Sequence, residues 1–128
     1  MSGDHVMKEE LNKLLAQVSQ NFNDLKVVAL STIDGFSIYS SDNGANEQEN
    51  EKIAAISSSL HSLSNAAAKQ LAGNKLMTTT LETSDGFIFF FSTTYEEREC
   101  VLCIATGASE NVAKARYFSQ KIADFIGK

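Results

Sequence analysis

The segment from Glu47 to Ala72 constrains the fold most, because it predicts one long helix that needs covering on two sides. Apolar residues recur along it every three or four positions, which is typical of an amphipathic helix. These positions are Ile53, Ile56, Leu60, Leu63, Ala67 and Leu71. We expect this stripe to pack on a sheet. Glutamates in the first turns favour the helix start, and Gly73 is placed as a C-cap.

A second row on the same segment consists of small and uncharged residues, and we call it the seam. Its members are Ala55, Ser58, Ser59, Ser62, Ala66 and Gln70. No Asp, Glu, Lys or Arg lies between Ile53 and Ala68, although a solvated helix face ordinarily carries them. Small residues let two helix backbones approach closely. We therefore predict that a second copy of this helix covers the seam in a symmetric dimer; the alternative is an exposed Ser/Ala-rich helix.

The rest of the chain predicts strands and two further helices around this segment. The predicted elements are a helix over Val6–Phe22, strands over Lys26–Ile33 and Phe36–Ser40, a polar loop over Ser41–Asn46, strands over Lys75–Leu81, Phe87–Phe91 and Cys100–Thr106, and a helix over Glu110–Ile126. Asp34-Gly35 predicts a tight type I′ turn, and Ser109 is placed as an N-cap. Apolar residues on both faces of the first and fourth strands indicate helices on both sides of one antiparallel sheet. Without repeats or a linker, residues 1–128 predict a single domain with a flexible tail at 1–5.

The third strand offers a second argument for self-association. If it lies at the sheet edge, its threonines lack the proline or repeated charge that ordinarily protects an edge from pairing. We expect the edge and the seam to meet a second copy across one two-fold axis. The predicted dimer interface consists of Ala55, Ser58, Ser59, Ser62, Ala66, Met77, Thr78, Thr79 and Thr80.

Composition excludes several kinds of partner. The chain has 16 acidic against 11 basic residues and no proline. This balance argues against nucleic acid and anionic membrane surfaces, which need clustered Lys and Arg. The polar start of the chain and the lack of a long apolar run predict a cytoplasmic protein without membrane insertion. Cys100 and Cys103 point to opposite faces of a strand, so we expect two buried thiols rather than a disulfide or a zinc site.

Catalytic motifs are missing from the sequence, and we expect neither an enzyme, a metal site nor a cofactor. His61 follows Ser57 and Ser58 on the predicted helix, which is the weak outline of a nucleophile and its base. Neither an orienting carboxylate nor an oxyanion hole is evident nearby, so we interpret His61 as a rim or dimer-contact residue. The glutamates Glu96, Glu97 and Glu99 are typical of a solvated hairpin tip.

Three blocks of residues resemble the roadblock / dynein light chain family, in particular its bacterial members. They are the strand-turn-strand Val27–Ile38, the helix Ile53–Leu71 and the strand Val101–Ala105. The resemblance implies an α/β three-layer sandwich with a five-stranded antiparallel sheet of order 2-1-5-4-3. The second helix would cover one face, and the N- and C-terminal helices the other. It also implies a homodimer through the second helix and strand 3.

The resemblance further implies a binding function, because such domains are scaffolds and regulators of Ras-like small GTPases. By position on the second helix, the surface that touches the GTPase would come from Glu51, Ser58, Ser62, Asn65 and Lys69. The alternative is a small-molecule-sensing or signalling adaptor module of profilin-like architecture. The sequence argues against it, because no cluster of polar residues interrupts an apolar strand to orient a ligand.

Overall fold

The backbone forms one antiparallel sheet with helices on both faces. The computed structural model describes residues 2–41 and 47–128. Its elements are α1 (Ser2–Val18), a 3-10 turn (Ser19–Asn21), β1 (Leu25–Thr32), β2 (Ser37–Ser40), α2 (Glu47–Ala67), a π-helical turn (Ala68–Ala72), β3 (Thr78–Thr83), β4 (Gly86–Tyr95), β5 (Arg98–Gly107) and α3 (Val112–Ile126). The five strands lie in the order β2-β1-β5-β4-β3, all pairs antiparallel, which confirms the predicted fold class.

Two apolar clusters, one on each face of the sheet, form the core. On one face, Leu30, Phe89 and Leu102 are fully buried beneath α1 and α3. On the other face, Phe90 and Val101 pack beneath α2. Alternate residues of a strand point to opposite faces, which explains why β1, β4 and β5 are apolar almost throughout. The two cysteines follow the same rule, since Cys100 belongs to the first cluster and Cys103 to the second, and both are buried free thiols as predicted.

Several boundaries differ from the predicted ones. The first helix begins at Ser2, within the segment for which a flexible tail was expected. Strand β3 starts three residues later than predicted, at Thr78, and β4 and β5 extend into a longer hairpin. Most of the predicted polar loop, residues 42–46, lies outside the described part of the chain.

The turn between β4 and β5 lies at the hairpin tip that the sequence predicted, but its backbone conformation was not predicted. Tyr95 pairs with Arg98, so Glu96 and Glu97 alone connect β4 to β5, with φ angles of 52° and 65°. Positive φ at both central residues is the type I′ geometry that matches the twist of a hairpin. The prediction of this geometry at Asp34-Gly35 was wrong, because of that pair only Gly35 has a positive φ, 98°.

A polar contact fastens the entry of β1 to the end of β5. The Ser109 hydroxyl donates to Asp24 Oδ2 at 2.8 Å, and the Asp24 N–H donates to Glu110 Oε1 at 2.7 Å. The hydrogen bond from Ser109 is the main cause that holds the pKa of Asp24 below its usual value. Ser109 is therefore not the N-cap that was predicted. Asn111 caps α3 instead, accepting from the Lys114 N–H at 2.9 Å.

Candidate protein interaction surface

Helix α2 leaves large apolar side chains in solvent. The exposed fractions of Ile56, Leu63 and Leu71 are 54%, 69% and 86%. We call these three residues the apolar row. The prediction that they pack on the sheet was wrong for Leu63 and Leu71, and for Ala67, which is also exposed, whereas Ile56 is half exposed at the margin of the contact between the helix and the sheet. Side chains of this size remain costly to hydrate, so the row is a surface that lacks a cover within the described chain.

Small residues make the closest contact between α2 and the sheet. Ala54 and Ser57 are fully buried there, while Ile53 and Leu60 are half-buried against the second cluster. A helix backbone can approach a sheet closely only where its side chains are small. The prediction that the apolar stripe packs on the sheet is therefore confirmed for Ile53 and Leu60, while the small residues Ala54 and Ser57, which the pattern did not mark, make the closest contact.

The seam lies mostly in solvent. Ala55, Ser59, Ser62 and Ala66 are exposed. Ser58 is the exception, because it is half-buried and its hydroxyl donates to the Ile33 carbonyl at the end of β1. This bond anchors the middle of α2 to the turn between β1 and β2.

The two flanks of α2 face different parts of the molecule. Ile56 lines a small apolar pocket of about 160 Å³ over β1, β5 and β4, together with Val27, Ala105 and Ile88. Leu63 follows Ile56 by seven residues and so lies on the same side of the helix. On the other side, Glu51 lines a hollow with Phe36 near β2. Ser58, two residues after Ile56 and so on the opposite side of the helix, is bonded beside β1, which places the apolar row on the side of α2 toward β4 and β3.

Strand β3 presents an edge on that same side of the sheet. It pairs only with β4, so its outer backbone groups have no strand partner among the described residues. Thr79 and Leu81 lie opposite Phe90 and Ile88 and thus share the sheet face of α2. Met77, just before the strand, is 65% exposed. Of the other predicted interface residues, Thr78 and Thr79 are half-buried and Thr80 is exposed.

Comparison with known proteins assigns this architecture. The sequence profile of the Roadblock/LC7 domain matches residues 11–106. The chain belongs to the Roadblock/LC7 family. No curated protein sequence matches it significantly.

Solved structures share the Roadblock/LC7 fold at low sequence identity. A Roadblock/LC7 domain from Streptomyces avermitilis superposes with a TM-score of 0.75 at 17% identity, covering 87% of this chain and 89% of that one. Myxococcus xanthus MglB gives 0.66 at 19% identity, covering 78% of each chain. The gliding protein MglB from Thermus thermophilus gives 0.74 at 11% identity, with 94% and 90% covered. These likenesses concern the fold.

The residues expected to touch a partner of this Roadblock/LC7 domain lie along one side of α2 and the turn that follows it. They recur at helical spacing, and we call them the polar flank. Its members are Glu51, Ser58, Ser62, Asn65 and Lys69. Residues two apart on a helix point about 200° apart, so Ser58 and Asn65 lie opposite Ile56 and Leu63. The polar flank and the apolar row can therefore contact different molecules at once.

A polar cleft, which the sequence did not reveal, opens between the C-terminal half of α2 and the sheet. Its volume is about 510 Å³, and it is lined by residues from four separate parts of the chain. The helix supplies His61, Asn65 and Lys69, and the strands supply Ser92 and Glu99. No sequence motif could predict it, because these residues are far apart along the chain and come together only through the sheet order.

The serine–histidine arrangement considered from the sequence is not presented as a catalytic pair. Ser57 is fully buried, and the hydroxyl of Ser58 is bonded to a backbone carbonyl. Burial also raises the pKa of the Cys103 thiol to about 12, so this group stays protonated and unreactive at neutral pH. Across residues 2–41 and 47–128, no cluster of His, Cys, Asp and Glu suits a metal ion. No helix in the same ranges is long and apolar enough to span a membrane.

Proposed function

We propose that this Roadblock/LC7 domain forms a homodimer that binds a Ras-like small GTPase and modulates its nucleotide cycle or its localisation. The observation that carries the proposal is the apolar row beside the open edge of β3, since one partner copy could cover both. Family membership supports the GTPase, because a resemblance to roadblock proteins implies this class of partner. The domain would act through surface complementarity, with no catalytic residue of its own.

The proposed dimer places two copies of α2 against each other and pairs the two β3 edges. Closure across a two-fold axis would bury Ile56, Leu63 and Met77 of each copy, with the seam beside them. Ala55, Ser59, Ser62 and Ala66 are small enough to let the two helices approach. Thr78, Thr79 and Thr80 would supply backbone hydrogen bonds to the same strand of the partner.

The GTPase would bind the polar flank, of which Glu51, Asn65 and Lys69 lie outside the seam and stay accessible after such a dimer forms, while Ser58 and Ser62 mark its border with the dimer contact. Glu51 and Lys69 carry opposite charges and are both exposed. Complementary charges at the rim of an interface steer association and fix its register. In a symmetric dimer the two polar flanks are related by the same axis, so the partner surface is present twice.

The partner proposal is tested with a Ras-like GTPase encoded next to this gene. Nucleotide hydrolysis, nucleotide exchange and binding are measured with and without this protein, in the GDP and the GTP states. Glu51→Lys should weaken binding by about tenfold through charge reversal at the interface. Asp124→Lys makes the same change on the exposed face of α3 and should leave binding unaltered.

Three results would count against this assignment. If neither nucleotide state binds, this GTPase is not the partner. If Glu51→Lys and Asp124→Lys weaken GTPase binding equally, the GTPase does not contact the polar flank specifically. An unchanged dimer in the Ser62→Arg variant, observed by sedimentation, shows that the seam is not at the two-fold axis.

A further inference from the structure

The polar cleft arises where the contact between α2 and the sheet changes character. Over the N-terminal half of α2, the contact is mainly apolar, with Ala54 against a floor that includes Phe90 and Val101. One step further along β4 and β5 on the same sheet face, the floor continues as Ser92 and Glu99. The helix changes in parallel, from Ala54 and Ser57 to the half-buried His61 and Asn65. Helix and sheet thus both contribute polar side chains where the gap between them opens, and Ile33 and Leu76 complete the lining with apolar surface.

The C-terminal turn of the helix forms the end wall of the cleft. The helix finishes in a π-helical turn over Ala68–Ala72, closed by a 2.8 Å bond from the Gly73 N–H to the Ala68 carbonyl. Gly73 then takes a left-handed conformation with φ 74°, and Asn74 Oδ1 accepts from the Lys75 N–H at 2.9 Å. π-turns and left-handed glycines are common at the C-termini of helices, and Gly73 is thus the C-cap that the sequence predicted. This turn carries one cleft lysine, Lys69, and leads directly to the other, Lys75.

The charge of the cleft selects the kind of ligand. Lys69 and Lys75 both line it and are exposed, and among the described residues neither forms an ion pair. The carboxylate of Glu99 lies on the sheet side, where it can accept hydrogen bonds but would repel an anion. A fitting molecule therefore carries an anionic group at one end and hydroxyl donors at the other.

We propose that the cleft binds a small organic phosphate with free hydroxyl groups, of the class of sugar phosphates and nucleotides. The phosphate would lie between Lys69 and Lys75, since lysine binds phosphate as a point charge. The hydroxyls would donate to Glu99 and to the side-chain oxygen of Asn65. The volume of about 510 Å³ is within the usual range of ligand sites and exceeds what inorganic phosphate fills.

The experiment uses the whole chain alone, so its outcome is independent of the GTPase and of the dimer. Glucose-6-phosphate and adenosine monophosphate are titrated while backbone amide NMR signals are followed. Glucose, which lacks the phosphate, and inorganic phosphate, which lacks the sugar, are the controls. We expect a phosphate ester to shift the signals of Asn65, Gly73 and Ser92, and glucose to shift none. The relative affinities of the two esters distinguish a sugar phosphate from a nucleotide. Inorganic phosphate should bind more weakly than either ester.

Lysine variants locate the binding. Lys69→Gln and Lys75→Gln should each raise the Kd by about tenfold, the effect of losing one charge-assisted hydrogen bond. Lys114→Gln removes an equally exposed lysine from α3 and should leave the Kd unchanged. Because all three side chains are exposed, thermal unfolding should confirm that the variants fold as the parent does. The proposal is wrong if neither ester binds at millimolar concentration, or if Lys114→Gln weakens binding as much as the cleft variants do.

Discussion

Truncation of Leu63 tests most directly whether the apolar row is an interface. Leu63 is 69% exposed in the single chain, and full burial of a leucine side chain stabilises by roughly 2 kcal/mol. Leu63→Ala should therefore remove about 1 to 1.5 kcal/mol of burial from each copy. Both copies carry the change in a symmetric dimer, so the loss doubles and the dimer Kd rises roughly 30- to 150-fold.

Sedimentation equilibrium over a range of concentrations measures this Kd. Tyr117→Ala is the matched control, because Tyr117 is a similarly exposed large side chain at 57%, on the helix at the opposite face of the sheet. Its truncation should leave the Kd within about twofold, since no interface is proposed there. A parent chain that is monomeric at all concentrations would refute the dimer. A Leu63→Ala variant that dimerises as tightly as the parent would refute the proposed role of the apolar row.

Two further predictions concern the stability of the fold. Glu97→Gly should raise the free energy of unfolding by about 1 kcal/mol, and the melting temperature by about 4 °C, because glycine adopts the left-handed conformation without strain. The control Glu99→Gly lies in an extended strand and should lower both quantities. If both substitutions change the melting temperature in the same direction, the left-handed conformation of Glu97 is not what limits stability there. Ser109→Ala should destabilise the chain at neutral pH, because it removes the hydrogen bond that lowers the pKa of Asp24. A carboxyl group whose pKa is lowered by folding stabilises the folded chain at any pH above its unfolded pKa of 3.8. This stabilisation is lost as the pH falls through the pKa of the folded state. The difference in the free energy of unfolding between the parent and Ser109→Ala, measured with urea, should therefore shrink in acid. A deficit independent of pH would assign the effect of Ser109→Ala to something other than Asp24.

The sequence predicted the order of helices and strands well, because that order depends on periodicity that is local to each segment. The order of the strands in the sheet, which is not local, was predicted only through the resemblance to the roadblock family. Phe87 to Phe91 is apolar throughout, and burial on both faces followed from that pattern alone. Helix α2 is the exception. Its pattern marked Ile56 and Leu63 as residues to be covered, but it could not distinguish a sheet in the same chain from a surface outside it.

Turns and clefts were harder to predict, because their geometry depends on residues that are far apart in the sequence. Glutamate is not a residue that favours positive φ, so the pairing of long strands, not the local preference of Glu96 and Glu97, imposes their conformation. Ser109 and Asn111 are both good N-caps, and the choice between them depends on Asp24, which is remote in sequence. The cleft is remote in the same sense, since Lys69 and Glu99 become neighbours only in the folded chain.

The two edges of the sheet differ in length, and this difference limits how many copies can join. Strand β3 offers six residues for pairing, whereas β2, at the opposite edge, offers only four. Short edge strands discourage addition of another chain. If two β3 edges pair, the joined sheet ends in β2 on both sides, and no long edge is left to recruit a third copy. The same topology that favours a pair therefore disfavours growth into a fibre.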